Sequence, residues 1–406
     1  MKRSIESVSQ AVAQLYNTYP FPPEPLLDEP PPGYNWRWHW SAAHAFCTGM
    51  KPKTQAVRVL DAGCGTGVGT EYIAHLNPAA EITAIDLSDR ALETARTRCQ
   101  RSGAPNATFQ TLSIYDVEQI PGTFDWINCV GVLHHLPDPH RGIQALADKL
   151  APGGIFHIFV YAALGRWEIT LMQAAIALLQ GDRQGDYTDG VQVGRQIFAN
   201  LPANNRLRRR EEERWALENQ RDANFADMYV HPQEVDYTIP TLFDLIDASG
   251  LEFVGFSNPR YWQIDRLIGQ APDLVRRAAS LSERDRYRLI ELLDPEITHY
   301  EFFLAKPPLP RQTWDDDETL LRAYPERHPC MQGWPSRSVF DYDYQFIELT
   351  EAEYAFLKAC NRDAADSSTS SPPTVAECLA QTGLDLAGVR SLQHRQLILL
   401  SNTPSP

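Results

Sequence analysis

The stretch Val59–Gly69, VLDAGCGTGVG, decides the fold of this 406-residue chain. An apolar run ends at Asp61, and the chain then turns through Gly63, Gly65 and Gly67 into a helical pattern. Glycine suits such a turn because it adopts φ > 0 without strain and lets a ligand approach where a Cβ would clash. Amides at the turn and at the start of the helix would then face that ligand. A dinucleotide spacing GxGxxG fails: position 68 is valine when the count starts at Gly63, and position 70 is threonine when it starts at Gly65. A phosphate loop fails as well, because no GK[ST] follows.

Outward from this turn, strand-like runs alternate with helical patterns. The runs are Val57–Asp61, Glu81–Leu87, Ala107–Leu112, Phe124–Val130 and Gly154–Tyr161, and helices fit Ser88–Ser102 and Arg141–Leu150. Such alternation implies right-handed crossovers and a mostly parallel sheet covered on both faces. Leu251–Phe256 and Tyr300–Ala305 read as two closing strands. The mostly helical segments 162–231 and 258–298 interrupt the core, as substrate caps, dimer surfaces or plain decoration.

Proline crowds Pro20–Pro32, and the aromatic cluster Tyr34–Trp40 (YNWRWHW) follows. Because proline fixes φ and removes a donor, this stretch should wrap a surface rather than cross a sheet. Further breaks fall at Lys306–Gln312 (KPPLPRQ) and at Asp363–Pro373 (DAADSSTSSPP), read as a polar loop. Lys and Arg number 37 against 52 Asp and Glu, a formal charge of −15, which argues against binding by phosphate neutralisation. Nucleic acid therefore ranks second as a partner, with only Arg206, Arg208, Arg209 and Arg210 as a local basic stripe. The segment RLRRREEERW (Arg206–Trp215) reads as a solvated helix face laced by ion pairs. Seven scattered cysteines without a CxxC pair suit neither a disulfide framework nor a zinc ribbon, so no metal site is expected and a reducing cytoplasm is. The first residues, MKRSIESVSQAVAQLY, lack the apolar core of a signal peptide, and no apolar run approaches the ~18 residues of a membrane span.

DAGCGTG resembles motif I of the class I S-adenosylmethionine-dependent methyltransferases, and further family signposts follow in order. The resemblance implies a Rossmann-like, seven-stranded α/β core, mostly parallel with the last strand antiparallel. It implies that Asp61, Gly63, Cys64, Gly65 and Gly67 border the amino-acid end of S-adenosyl-L-methionine. Asp86 would accept from the ribose hydroxyls, as an ionised carboxylate can accept two hydrogen bonds at once. Leu87 and Asp116 would lie near the adenine, and Val130 would border the cofactor within FDWINCVGVLHHLPDP (Phe124–Pro139). LAPGGIFHIFVY (Leu150–Tyr161) resembles the turn entering strand five. The match is close over 55–161 and looser to Lys306.

Methyl transfer from a sulfonium asks the protein mainly to align the nucleophile and exclude water. A general base matters when the nucleophile is protonated. His134 and His135 lie beyond strand four, where open α/β sheets bind ligands, and His135 is a candidate base. Arg221–Val254 resembles the segment that small-molecule methyltransferases place before strand six. Asp227, Tyr229 and His231 would border the acceptor there, with Tyr229 and His231 the catalytic candidates. Tyr16, Tyr19, Phe21 and the aromatics of 34–40 would form a lid.

The expected organisation is an extension over the active site (1–50), a cofactor-binding core (51–161), a helical cap (162–231), the rest of the core with a second insertion (232–306) and an accessory domain (312–406). The last, α-rich and loosely winged-helix-like, would dock a partner or complete a homodimer. The expected reaction methylates a small organic acceptor. The alternatives are a protein methyltransferase docking its substrate through the last domain, and a regulator that binds the cofactor without turnover.

Overall fold

The apolar runs around the glycine turn become the centre of a seven-stranded sheet. The computed structural model describes residues 4–360 and 372–404. Most of the loop expected at 363–373 lies outside them. The strands are β1 (Arg58–Ala62), β2 (Glu81–Asp86), β3 (Ala107–Thr111), β4 (Phe124–Val130), β5 (Leu150–Tyr161), β6 (Glu252–Phe256) and β7 (His299–Ala305). Their order is β3-β2-β1-β4-β5-β7-β6. The β1–β2, β1–β4, β2–β3 and β4–β5 pairs are parallel, and β7 runs antiparallel to both its neighbours. This is the Rossmann-like methyltransferase sheet with its antiparallel closing strand.

Continuous apolar runs suit strands buried on both faces. Phe156, Ile158, Phe302 and Leu304 are fully buried, in one cluster with Ile143 and Leu146 of the helix Pro139–Lys149 and Leu242 and Leu245 of the helix Ile239–Ser249. Each such side chain contributes about 1.5–3 kcal/mol by leaving water. Ser88 caps the helix Asp89–Ser102 by accepting from Ala91 N, and Gly103 ends it in the left-handed region.

The chain divides into two compact units. The first takes residues 1–29, 58–71 and 81–307, the second 30–57, 72–80 and 308–406. In the first, the helices Trp167–Gln180, Tyr187–Asn200, Arg206–Arg214 and Asp222–Tyr229 form a cap. Its core is Ile169, Met172, Ile176, Val191, Phe225 and Tyr229, joined by Leu15 from the N-terminal helix Ile5–Thr18. The helix Arg206–Arg214 is less solvated than its sequence suggests. Arg210 pairs with Glu168 and Glu296, and buried Glu211 accepts from Tyr229 Oη at 2.5 Å and from Asn219 Nδ2 at 3.0 Å.

The second unit holds the antiparallel pairs β8 (Tyr324–Arg327) with β11 (Ile398–Ser401) and β9 (Ser338–Phe340) with β10 (Phe346–Glu348). Its helices include Glu351–Cys360, Val375–Thr382 and Leu386–His394. The N-terminal aromatics do not act as one extension. Tyr34 stacks on Tyr344 with ring centroids 4.4 Å apart, and buried Trp36 packs on Phe46 and Tyr342, all within the second unit. Trp36 and Tyr34 thus serve that unit's own packing, while Tyr16, Tyr19 and Phe21 belong to the first unit, where Tyr16 and Tyr19 pack against the cap core.

Candidate active site

The glycine turn is held by the protein itself. Gly63 N and Cys64 N donate to Ile85 O at 2.8 and 3.0 Å, Gly65 N to Asp86 Oδ2 at 2.8 Å, Thr66 N to Phe21 O at 3.0 Å and Gly67 N to Cys64 O at 2.9 Å. A Cβ on Gly63 would lie 2.5 Å from Val132 and one on Gly67 2.7 Å from Ala95, while one on Gly65 would strike the Phe21 carbonyl. These five amides are spent within the protein, where they knit β1, β2 and the N-terminal segment together. The glycines are required by positive φ and by close protein neighbours.

Residues 21–25 form a strap across this turn. Thr66 Oγ1 donates to Pro22 O at 2.6 Å. Arg98 donates to Thr66 O, Pro25 O and Glu24 O at 3.0, 2.9 and 2.7 Å, and pairs with Glu71 at 3.4 Å where both side chains are 2% exposed. Ser88 Oγ donates to Asn17 Oδ1 at 2.7 Å, fixing the end of the N-terminal helix beside the end of β2.

Asp86 ends β2. Its Oδ1 accepts from Ser88 N at 2.8 Å while Oδ2 holds Gly65. Burial raises its carboxyl, against the pull of the amides of Ser88, Gly65 and Leu87. Leu87, Asp116 and Val130 are half-buried at the ends of β2, in the turn Ile114–Gln119 and at the end of β4. The Cys64 thiol is buried against Gly65 O, and burial pushes it up. Asp61 is turned inward, accepting from Thr70 Oγ1 at 2.5 Å and Asn128 Nδ2 at 2.8 Å. From Asn128 the polar row continues: Oδ1 meets His157 Nδ1 at 2.8 Å, His157 Nε2 meets Glu301 Oε1 at 3.1 Å, and Ser257 Oγ donates to Glu301 Oε2 at 3.0 Å.

A second polar cluster lies beyond β4 and β5, and its groups are poorly satisfied. His134 is fully buried, with Tyr161 at a centroid distance of 3.9 Å, and neither of its ring nitrogens has a partner. His135 stacks on His231 at 3.7 Å, and His231 meets Tyr16 at 5.6 Å. His135 Nδ1 bonds Gln233 O at 2.9 Å, and His231 Nδ1 accepts from Gln233 N at 3.2 Å, leaving His231 Nε2 unpartnered. Burial holds His134 and His231 well below the usual histidine range and His135 down at about 3. Such rings are neutral and weak bases.

Beside them opens a cavity of about 190 Å³ bordered by Phe21, Phe159, Tyr161, Arg166, Asn219 and Asp227 among others. Asp227 Oδ1 accepts from Tyr16 Oη at 2.9 Å. Burial pushes Asp227 up to about 6, against the Tyr16 hydrogen bond and the Arg166 charge. Arg166 is 3% exposed, lies 3.4 Å over the Tyr161 ring, and pairs with Glu234 at 3.0 Å and Asp236 at 3.6 Å. Of the residues expected around an acceptor, Asp227 lines this cavity and His135 and His231 stack near Tyr16. Tyr229 does not line it, because its hydroxyl is committed to Glu211 inside the cap core. Sequence reasoning missed Arg166, Asn219 and the Tyr16–Asp227 bond.

A methyltransferase-domain family model matches residues 60–156. The protein syc1184_c of Synechococcus sp., described as uncharacterized, is 64% identical over 396 residues, covering 97% of this chain and 94% of its own length. Ubiquinone biosynthesis O-methyltransferase of Albidiferax ferrireducens is 38% identical over 98 residues, which span 24% of this chain and 38% of that enzyme. Among solved structures, PKMT2 from Rickettsia typhi shares the fold with a TM-score of 0.62 at 16% identity, over 92% of this chain and 77% of that one. Residues 60–156 carry a class I S-adenosylmethionine-dependent methyltransferase domain, and S-adenosyl-L-methionine is its cofactor.

The residues present fit that cofactor on two observations. A carboxylate offers about four lone-pair positions, so Asp86 keeps acceptor capacity for hydroxyls after holding its amides. Nothing lies within 4 Å of where a Cβ on Gly131 would stand, so the chain leaves space beside Val130 at the end of β4. Among the described residues no helix is long and apolar enough to cross a membrane.

Proposed function

We propose that this enzyme methylates a small organic acceptor held in the cavity beside Asp227, at the carboxyl end of β5. One observation carries the reading. Asp227, 6% exposed, borders the cavity with Oδ2 lacking a hydrogen-bond partner among the described residues, and its carboxyl is poised at about 6. A base works best when its pKa lies near the operating pH, which favours Asp227 over the neutral, acid-shifted histidines. A volume of about 190 Å³ is below the roughly 300–1,000 Å³ of pockets for drug-sized ligands, which supports a small acceptor.

In this reading Asp86 accepts from the ribose hydroxyls, Leu87 and Asp116 flank the adenine, and the backbone of Gly63–Gly67 with Val130 borders the methionine end. Asp61 and Cys64 shape the turn from beneath. When bound, the cofactor supplies a methyl group on a sulfonium whose departure as a thioether needs no acid. The chain's own part is to orient the acceptor against Tyr161 and Phe159, to keep water out with the Phe21–Pro25 strap, and to take a proton at Asp227. His135 and His231 position Tyr16, which orients Asp227. The seven cysteines, all buried and none in a disulfide among the described residues, support a reducing cytoplasmic setting.

The same small volume supports a second reading, in which the acceptor is a single side chain of a polypeptide. Titration calorimetry with S-adenosylmethionine, followed by assay of S-adenosylhomocysteine on panels of small acceptors and peptides, tests both. Asp86→Ala should weaken cofactor binding at least tenfold. Binding without turnover on either panel would favour a regulator and contradict the enzymatic reading.

A further inference from the structure

Resting on that reading, we propose that the acceptor enters as an aliphatic ammonium and gives a proton to Asp227, so that the methylated atom is a basic nitrogen.

Residues that border the cavity carry acceptors without partners. Asn219 is 2% exposed, and its Nδ2 donates to both oxygens of Glu211 at 3.0 and 3.2 Å. This fixes the amide orientation and leaves Oδ1 without a partner. Asn224 repeats the pattern: Nδ2 donates to Glu218 O at 2.8 Å and Oδ1 is unpartnered. Asp227 Oδ2 adds a third acceptor, and the exposed carboxylate of Glu218 stands at the rim. Against these the lining offers two buried donors without a hydrogen-bond partner, the indole Nε1 of Trp215 and Nε of Arg166, the latter 3.6 Å from Asp236. Its guanidinium, Arg166, is neutralised by Glu234 and Asp236.

Buried polar groups left without partners are costly, so the ligand that suits this lining carries several donors and a positive charge. An ammonium has three N–H donors and no acceptor. An alcohol has one donor, and a carboxylate or phosphate would face Asp227 and Glu218 as like charges. Phe21 and Phe159 supply apolar wall for an alkyl chain.

The chemistry balances. One N–H bond of the ammonium breaks, its proton goes to Asp227 Oδ2, and the electron pair stays on nitrogen. That pair forms the N–C bond to the methyl group as the C–S pair leaves with sulfur, and the product nitrogen carries the positive charge. A buried site favours the neutral amine and carboxylic acid over the separated ions, consistent with the upward-shifted carboxyl of Asp227.

The test measures binding to the full-length protein without cofactor, by calorimetry and saturation-transfer NMR at pH 7.5. The probes are n-butylammonium, n-butanol and butyrate. The proposal expects n-butylammonium to bind at least about tenfold tighter than the other two, Asp227→Asn to remove that preference, and Glu218→Gln to weaken it two- to threefold. Glu218 is exposed, so its variant reads the effect even where Asp227→Asn folds poorly. Nα-acetyl-lysinamide, run alongside, separates a polypeptide side chain from a free amine as the source of the ammonium. Equal or tighter binding of n-butanol or butyrate would overturn the proposal, as would wild-type binding of n-butylammonium by both variants. Loss of S-adenosylmethionine binding would strike the methyl-transfer reading alone, because these measurements contain no cofactor.

Discussion

Two buried polar clusters in the same unit are finished differently. In the row Thr70–Asp61–Asn128–His157–Glu301–Ser257, every neighbouring pair is bonded at 2.5–3.1 Å. Asn128 gives its NH2 to Asp61, so its carbonyl must receive Nδ1–H of His157, and Nε2 then shares a proton with Glu301. Beyond the strand ends, His134, His231, Asn219 and Asn224 keep polar atoms without partners. A satisfied network rigidifies a core, whereas unsatisfied buried groups are retained where a ligand or water completes them. The first cluster fixes the sheet under the glycine turn, and the second borders the acceptor site proposed above.

The comparison breaks most visibly in the first cluster. Asn128→Leu takes one donor from the Asp61 carboxylate and the acceptor from His157 Nδ1–H, and should lower stability by about 2–5 kcal/mol, read by denaturant titration. An equal loss from a change in the second cluster would blur the contrast.

In the second cluster, Asp227→Asn should stabilise. The folded carboxyl titrates near 6 and the unfolded one near 3.8. Between these values the unfolded chain binds fewer protons than the folded one, so this group erodes stability as pH rises, and the whole penalty stands above about pH 6. Asparagine keeps an acceptor for Tyr16 and removes the charge. The gain should reach about 1–3 kcal/mol at pH 7–8 and vanish below about pH 4. Melting temperatures at both pH values check it.

The same shift predicts a kinetic limb. As pH falls below about 6, kcat/KM should decline about tenfold per unit as Asp227 gains its proton. Tyr16, Tyr161, Arg166 and Glu234 are the ionisable neighbours that set where the limb falls. A profile flat between pH 5 and 8 would remove Asp227 as the base. The smallest effect belongs to His134→Phe, which replaces a ring with no bonds by an apolar one and should shift stability by no more than about 1 kcal/mol.

Much of the fold was legible because its signals are local. The strand runs and the Ser88 cap depend on neighbours in sequence, and the glycine turn depends on spacing. The polar cluster beyond β4 and β5 was only partly legible: Asp227, His135 and His231 were expected near one another, but the contacts that hold them were not. The Tyr16–Asp227 bond joins residues 211 apart, and nothing in either segment announces the other. Glu211 looked like one more exposed acid in RLRRREEERW, yet tertiary packing buries it and draws in Tyr229 and Asn219. The aromatic cluster at 34–40 announced packing but not which unit it would pack into, since that choice rests on Phe46, Tyr342 and Tyr344.

The central claim, that Asp227 is the proton acceptor of a methyl-transfer site, is tested most directly by turnover of Asp227→Asn with S-adenosylmethionine affinity measured on the same sample. The account predicts a fall in kcat of about 10²–10⁴-fold with cofactor affinity within about twofold of wild type. A kcat within threefold of wild type on the same acceptor would contradict it.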